Sequence, residues 1–148
     1  MKNVPIKINK AEIFERVSLS SAYTGAKDIN DPAIYDRVAT INEDETLLTG
    51  FWKETCGIIT EKLREFILSI EDSADELSIT MELSGSYDEA LTPSVVEDLK
   101  GVLTTGIAGR WFRFTYPEKA ADWLSQSSTL LNRAFSKLCY RKKPTRKV

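Results

Sequence analysis

The chain offers 22 carboxylates, 20 Lys and Arg and two cysteines, but no histidine. That absence removes the imidazole base. With it go Ser-His-Asp and Cys-His catalysis and every zinc site built on a histidine ligand. Cys56 and Cys139 are too few for an all-cysteine zinc site and, 83 residues apart, far from a CxxC spacing. Both fall in apolar helical runs, where a free buried thiol is a commoner outcome than a disulfide. Ser18, Ser20 and Ser21 have only Lys10 and Lys27 nearby as activating bases. The loop Tyr23-Thr24-Gly25-Ala26-Lys27-Asp28 lacks the second glycine that a phosphate cradle needs. GxGxxG, GxxxxGK[ST] and EF-hand patterns are absent, and no carboxylate pair stands out by spacing as an acid/base couple. An enzyme working through carboxylates alone stays open. The expectation is a non-enzyme with no catalytic residue, no cofactor and no metal.

The sharpest chemical feature is the end of the chain. Arg141, Lys142, Lys143, Arg146 and Lys147 put five positive charges into the last eight residues, leaving 15 cations and 22 carboxylates, a net −7, in the other 140. Such a tail could neutralise phosphates, dock on an acidic protein surface, or simply stay solvated. The acidic body repels a nucleic-acid backbone, which ranks a protein surface, another copy of this body included, ahead of nucleic acid. Arg110-Trp111-Phe112-Arg113-Phe114 interleaves cations with aromatics, as base-stacking surfaces do. On a helix, however, Trp111 and Phe114 continue the apolar stripe of Leu103 and Ile107 and read as core. Phe112 lies off that stripe. Phe112 and Arg113 therefore join the five tail residues as candidate partner-binding positions.

These residues need elements to position them. Ile6-Lys7-Ile8 reads as a short strand or extended arm. Asn9 is a candidate N-cap, with Glu12 three residues on, for an amphipathic helix from Lys10 to about Ser20. Tyr23-Thr24-Gly25 reads as a break, and Asp31-Pro32 as the start of a short helix over Ala33 to Val38. Thr40 and Asn42 stand at capping-box spacing before the longest pattern in the chain. There Leu48, Trp52, Cys56, Ile59, Leu63, Phe66 and Ile70 step by 4, 4, 3, 4, 3 and 4, one helical stripe. Leu47, Phe51, Ile58 and Ile67 widen it to a broad buried face. Gly50 and Gly57 share one side of this helix, where they either admit a close backbone or are merely tolerated, at about 1 kcal/mol each relative to Ala.

Leu77, Ile79, Met81 and Leu83 alternate with polar residues, the only clear strand pattern in the chain. A lone strand is unstable. It must pair with Ile6 to Ile8, with a second weak strand, or with another copy. Thr92-Pro93 then opens a helix to about Phe114, through Val96, Leu99, Leu103, Ile107 and Trp111. Gly101, Gly106 and Gly109 leave open a shorter helix followed by a strand over Arg110 to Thr115. Thr115-Tyr116-Pro117-Glu118 has capping-box spacing for a last helix carrying Leu124, Leu131, Phe135 and Leu138, with Ser128 at the missing step. The sum is an α+β, mostly α fold: about four to five helices around one core with one or two short strands. Residues 1–140 form a single helical domain and residues 141–148 a basic tail. The N-terminus has no apolar run of signal-peptide length and no stretch is apolar enough to span a membrane, so the expectation is a cytoplasmic protein with no membrane partner.

Three segments carry a resemblance. Asp44-Glu45-Thr46-Leu47-Leu48 with Phe51-Trp52-Lys53-Glu54-Thr55-Cys56 resembles the long helix of small prophage-encoded structural proteins. Trp111-Phe112-Arg113-Phe114-Thr115 leading into Pro117-Glu118-Lys119-Ala120-Ala121 is similar to them, as is the ending Leu138-Cys139-Tyr140-Arg141-Lys142-Lys143-Pro144. Such proteins look like the head–tail connector or adaptor group of tailed phages. The resemblance spans Thr40 to Arg146. It implies small, mostly helical subunits that form rings between portal and tail, pair with other copies of themselves or other virion proteins, and end in the virion. It brings no catalytic motif. The group often carries a pronounced loop or hairpin, for which Ser84 to Leu91 is a modest counterpart.

Overall fold

A computed structural model of the chain describes residues 1–26 and 44–144. In chain order these form β1 (Lys2–Asn9), α1 (Lys10–Ala26), α2 (Glu45–Lys62), β2 (Ile67–Asp72), β3 (Glu76–Leu83), α3 (Thr92–Thr115) and α4 (Pro117–Cys139). Short 3-10 turns occupy Arg64–Phe66 and Glu89–Leu91. The fold is α+β and mostly α, with one strand more than the sequence pattern announces.

The alternating segment is the middle strand of an antiparallel sheet in the order β1-β3-β2. Ile6 pairs with Ile79 and Ile8 with Leu77 on one side, while Ile70 pairs with Ile79 and Asp72 with Leu77 on the other. Two of the expected partners are thus both present, and β3 needs no strand from another copy. A bulge at Leu68 offsets the β2 register between Ile67 and Ser69. One face of the sheet is apolar. Val4, Ile6 and Ile8 join Leu77, Ile79, Met81 and Leu83 there, buried beneath α1 and α3.

The helical stripe that starts at Leu48 does not run to Ile70. Leu63 leaves α-helical geometry at φ −101 and ψ 12, and Ile67 is already extended. Leu63 and Phe66 stay buried because the intervening 3-10 turn keeps their side chains inward. Ile70 continues the arithmetic of the pattern, but on a strand. Apolar spacing of three and four here crosses a change of backbone conformation, which periodicity alone does not detect.

At the other end of the chain, α3 is one helix through Thr115, so Arg110 to Thr115 is helical and not a strand. α1 also runs past Ser20 to Ala26. Ser21 faces inward, its hydroxyl donating to Ser18 O at 3.0 Å, and the Tyr23-Thr24-Gly25 break does not occur. The Asn9 cap is present, with Glu12 N donating to Asn9 Oδ1 at 3.0 Å. Thr115 does not cap α4. It ends α3, and Tyr116 stands at the cap position. The helix expected over Ala33 to Val38, the caps at Thr40 and Asn42, and the loop positions Lys27 and Asp28 lie outside the described residues.

α3 is the axis of the fold, buried continuously from Val102 to Phe112. Its glycines are contact points. A Cβ at Gly106 would stand 2.9 Å from Thr55 Cγ2 of α2 and 3.1 Å from Ser127 Oγ of α4. One at Gly109 would meet Leu124 Cγ at 2.7 Å and the Leu124 backbone nitrogen at 3.2 Å. Ser127 Oγ also donates to Val102 O at 3.0 Å, tying α4 to the α3 backbone. Gly50 and Gly57 of α2 face open space, so the tolerated reading applies to them.

Candidate interaction surface

Phe112 is not a surface residue. It is fully buried, edge-on to Trp123 of α4 with ring centroids 5.3 Å apart. The exposed aromatic is Phe114, expected in the core but 70% exposed, its ring stacked on Phe51 of α2 at 6.1 Å. The exchange follows from α3 being covered on several sides. A single stripe cannot rank its residues, and only the last turn, with Arg113 and Phe114, emerges past its neighbours. Arg113 is exposed there as expected. Arg110 is buried and committed: Nε donates to Glu54 Oε2 at 3.0 Å and Nη1 to Gly106 O at 3.0 Å.

The basic end lies elsewhere. Arg141 Nη1 reaches back to the carbonyls of Leu138, Cys139 and Tyr140 at 3.2, 2.8 and 3.3 Å. It thereby satisfies the orphan acceptors, and the negative dipole end, of α4. Lys142 N–H donates to Ser86 O at 2.7 Å, so the tail starts at the loop after β3. The side chains of Lys142 and Lys143 are exposed. Arg146 and Lys147 lie outside the described residues. α3 and α4 are antiparallel, with Lys137 Nζ of α4 2.6 Å from both Ser94 Oγ and Asp98 Oδ2 in the first turns of α3. Arg113 therefore sits at one end of this hairpin and the tail at the other. The 23 residues of α4 separate them by about 34 Å. The five candidate positions among the described residues do not form one patch.

Sequence reasoning placed Leu47 and Ile58 in the core. Both are exposed, on the outer side of α2. They precede Leu48 and Ile59 of the buried stripe by one residue, so a rotation of one position decides their fate. α2 and α4 both touch α3 at Gly106, and a groove opens between them, lined by Ile58, Lys62, Leu131 and Phe135. Lys62 Nζ lies 4.8 Å from the Phe135 ring, and Phe66 supports that ring from below at 5.7 Å. Leu47, the Phe51–Phe114 stack and Ile58 follow one another along α2. Glu54 shares that side of α2, and Glu61, Ser128 and Asn132 also line the groove.

A second cluster joins the β2–β3 hairpin to the helices. Lys10 Nζ lies 3.1 Å from Asp72 Oδ1, donates to Ser73 O at 3.0 Å and sits 5.1 Å from the Trp52 ring centroid. Trp52 Nε1 donates to both Asp72 oxygens at 3.2 Å. Burial pushes the nearby Cys56 thiol up to about 12, the Asp72 carboxylate adding to the shift and Lys10 opposing it. A thiol held protonated is a poor nucleophile, and every polar group named here is satisfied by another. The arrangement acts as a latch on the hairpin. Cys139, expected to be buried, is exposed, and both cysteines are free. Its position after the last inward residue, Leu138, accounts for that.

Among the described residues no group of three His, Cys, Asp or Glu side chains converges as a metal site, and no helix is long and apolar enough to cross a membrane. Comparison with protein-family models, curated proteins and solved structures gives no match.

Proposed function

We propose that the protein is a non-enzymatic structural or assembly component that acts through protein–protein contacts. Its specific setting, suggested by the residue resemblance, is head–tail connection in a phage or prophage particle. One observation carries the reading. Phe114, Leu47 and Ile58 are exposed on α2 and at the end of α3, and Ile58 also lines the α2–α4 groove. Exposed apolar side chains gathered on one face of a stable core are the ordinary form of a protein-binding surface. The polar clusters of the molecule, by contrast, are internally satisfied and serve the fold.

The nucleic-acid reading draws less support. Arg110 is engaged by Glu54, and Arg113 and the tail stand at opposite ends of the α3–α4 hairpin, so these cations do not line up along a phosphate backbone. The test is light scattering and co-sedimentation of the full chain with phage portal and tail proteins. Recovery of the chain in a defined complex is expected, lost in the folded variant Phe114→Ser/Ile58→Ser. A chain that stays monomeric with every such component overturns the proposal.

A further inference from the structure

The two edges of the sheet differ. β1 carries Pro5, Lys2 and Lys7, the residues that blunt an edge strand against further pairing. β2 carries no Pro and no cation. Its Leu68 and Ile70 are exposed, and among the described residues no other strand pairs with its outer side. It leads into the Ser73–Asp75 turn, around which Glu71, Asp75 and Glu76 form no salt bridge among the described residues. The charge distribution sharpens this contrast: from Glu65 through Leu99 the sequence holds ten Asp and Glu and not one Lys or Arg.

The complement of an open, acidic edge is an extended, basic segment, and this chain carries one. Residues 140–144 follow α4 without helix or strand, Tyr140 being extended at φ −64 and ψ 136. The described start of its own tail lies away from the acidic turn. Lys142 is held at Ser86, beyond the Leu83 end of β3, while the acidic turn lies beyond the Glu76 end. The eight residues of β3 cover about 24 Å. The described tail cations Lys142 and Lys143 therefore follow an anchor at one end of the sheet, and Glu71, Asp75 and Glu76 lie around the turn at the other.

We propose that the open edge of β2, with Glu71, Asp75 and Glu76 at its turn, docks the basic Arg141–Val148 segment of a second copy of this chain. The contact is heterologous, tail of one copy to sheet edge of the next. It propagates head to tail, closing into a ring or extending as a filament according to the rotation between copies. It goes beyond the binding surface proposed above, which lies on α2 and α4. A negative result here leaves partner recruitment through that surface standing, since recruitment is read in a separate mixture.

The test is sedimentation velocity of the full chain at about 50 mM and about 500 mM salt, which shortens the range of the attraction several-fold. Association at low salt, weakened about tenfold or more at high salt, is expected. One variant reverses the tail (Lys142→Glu, Lys143→Glu, Arg146→Glu, Lys147→Glu). A second reverses the edge (Glu71→Lys, Asp75→Lys, Glu76→Lys). Each alone should be monomeric, and an equimolar mixture should associate again, because each then meets its opposite. Should the edge variant fail to fold, a synthetic Arg141–Val148 peptide added to the wild-type chain replaces it. The peptide should dissociate the oligomer and slow amide exchange in β2. A wild-type chain monomeric at low salt, association indifferent to the tail reversal, a mixture that fails to reassociate, or a peptide without effect on β2 overturns the proposal. So does loss of association only when Asp88 and Glu89, beside the tail's own anchor, are the residues reversed.

Discussion

α2 and α3 carry similar sequence signals and put them to opposite use. Each is a long helix with interior glycines and a run of aromatics. On α3 the glycines are where α2 and α4 press against the axis, with Gly106 met by Thr55 and Ser127 and Gly109 by Leu124. On α2 the glycines look into open space, and Leu47 and Ile58 lie on the surface. A glycine or an aromatic has no fixed meaning on a helix. Its meaning depends on how many neighbours cover that helix. α3 is covered on several sides and builds the core, while α2 leaves Leu47 and Ile58 on the surface.

The largest effect that could break this comparison lies in the aromatic pair at the end of α3. Phe112→Ala should cost about 3–5 kcal/mol in urea unfolding, the price of emptying a fully buried ring site. Phe114→Ala loses little beyond its stacking on Phe51, less than about 1.5 kcal/mol. Equal losses would mean that α3 has no covered and uncovered sides at this point.

The glycines give the next largest contrast, and a change of sign. Gly109→Ala sets a crowding cost of about 1–3 kcal/mol against about 1 kcal/mol of helix propensity, for a net loss of up to about 2 kcal/mol. Gly57→Ala, in open space, should raise stability by up to about 1 kcal/mol. Thermal melts of the two variants read this directly, and stabilisation by both would remove the close approach of α4 to α3.

The smallest effects concern the thiols. Cys139 should alkylate readily in the native protein, while Cys56 stays protected until the fold opens. Linkage gives Cys56 a sign as well. Its folded-state value of about 12 lies above the ordinary 9.0, so the unfolded chain loses the proton first as pH rises. Its contribution to stability is complete below about pH 9 and declines between about 9 and 12. Cys56→Ala should flatten that decline in pH-dependent unfolding. A wild-type curve no steeper than the variant's would place the thiol in water.

Much of the architecture was legible because local chemistry and tertiary packing agree. Asn9 caps α1, the alternation from Leu77 to Leu83 is a half-buried strand, and the Pro93 and Pro117 starts hold. β2 was hidden because Leu63, Phe66 and Ile70 keep helical intervals across the 3-10 turn into the strand, where only tertiary pairing to β3 decides for a strand. The surface was harder to read than the core. Phe112 and Phe114 are two residues apart on a helix whose exposure depends on how far α4 and α2 extend beside it, and no local pattern encodes that. Arg110 looked like a free cation for the same reason, since Glu54, its partner, is 56 positions away. The Lys10–Asp72–Trp52 latch likewise joins residues from three separate elements.

The most direct test of a contact function on the uncovered side of α2 is side-chain footprinting by carbene or hydroxyl-radical labelling. It compares the free chain with the chain mixed with the portal and tail proteins proposed as its partners. Labelling at Phe114, Leu47 and Ile58 should fall several-fold on assembly, while the exposed Leu19 of α1 stays labelled in both states. Unchanged labelling of Phe114 and Ile58 in a complex that contains the chain would contradict it.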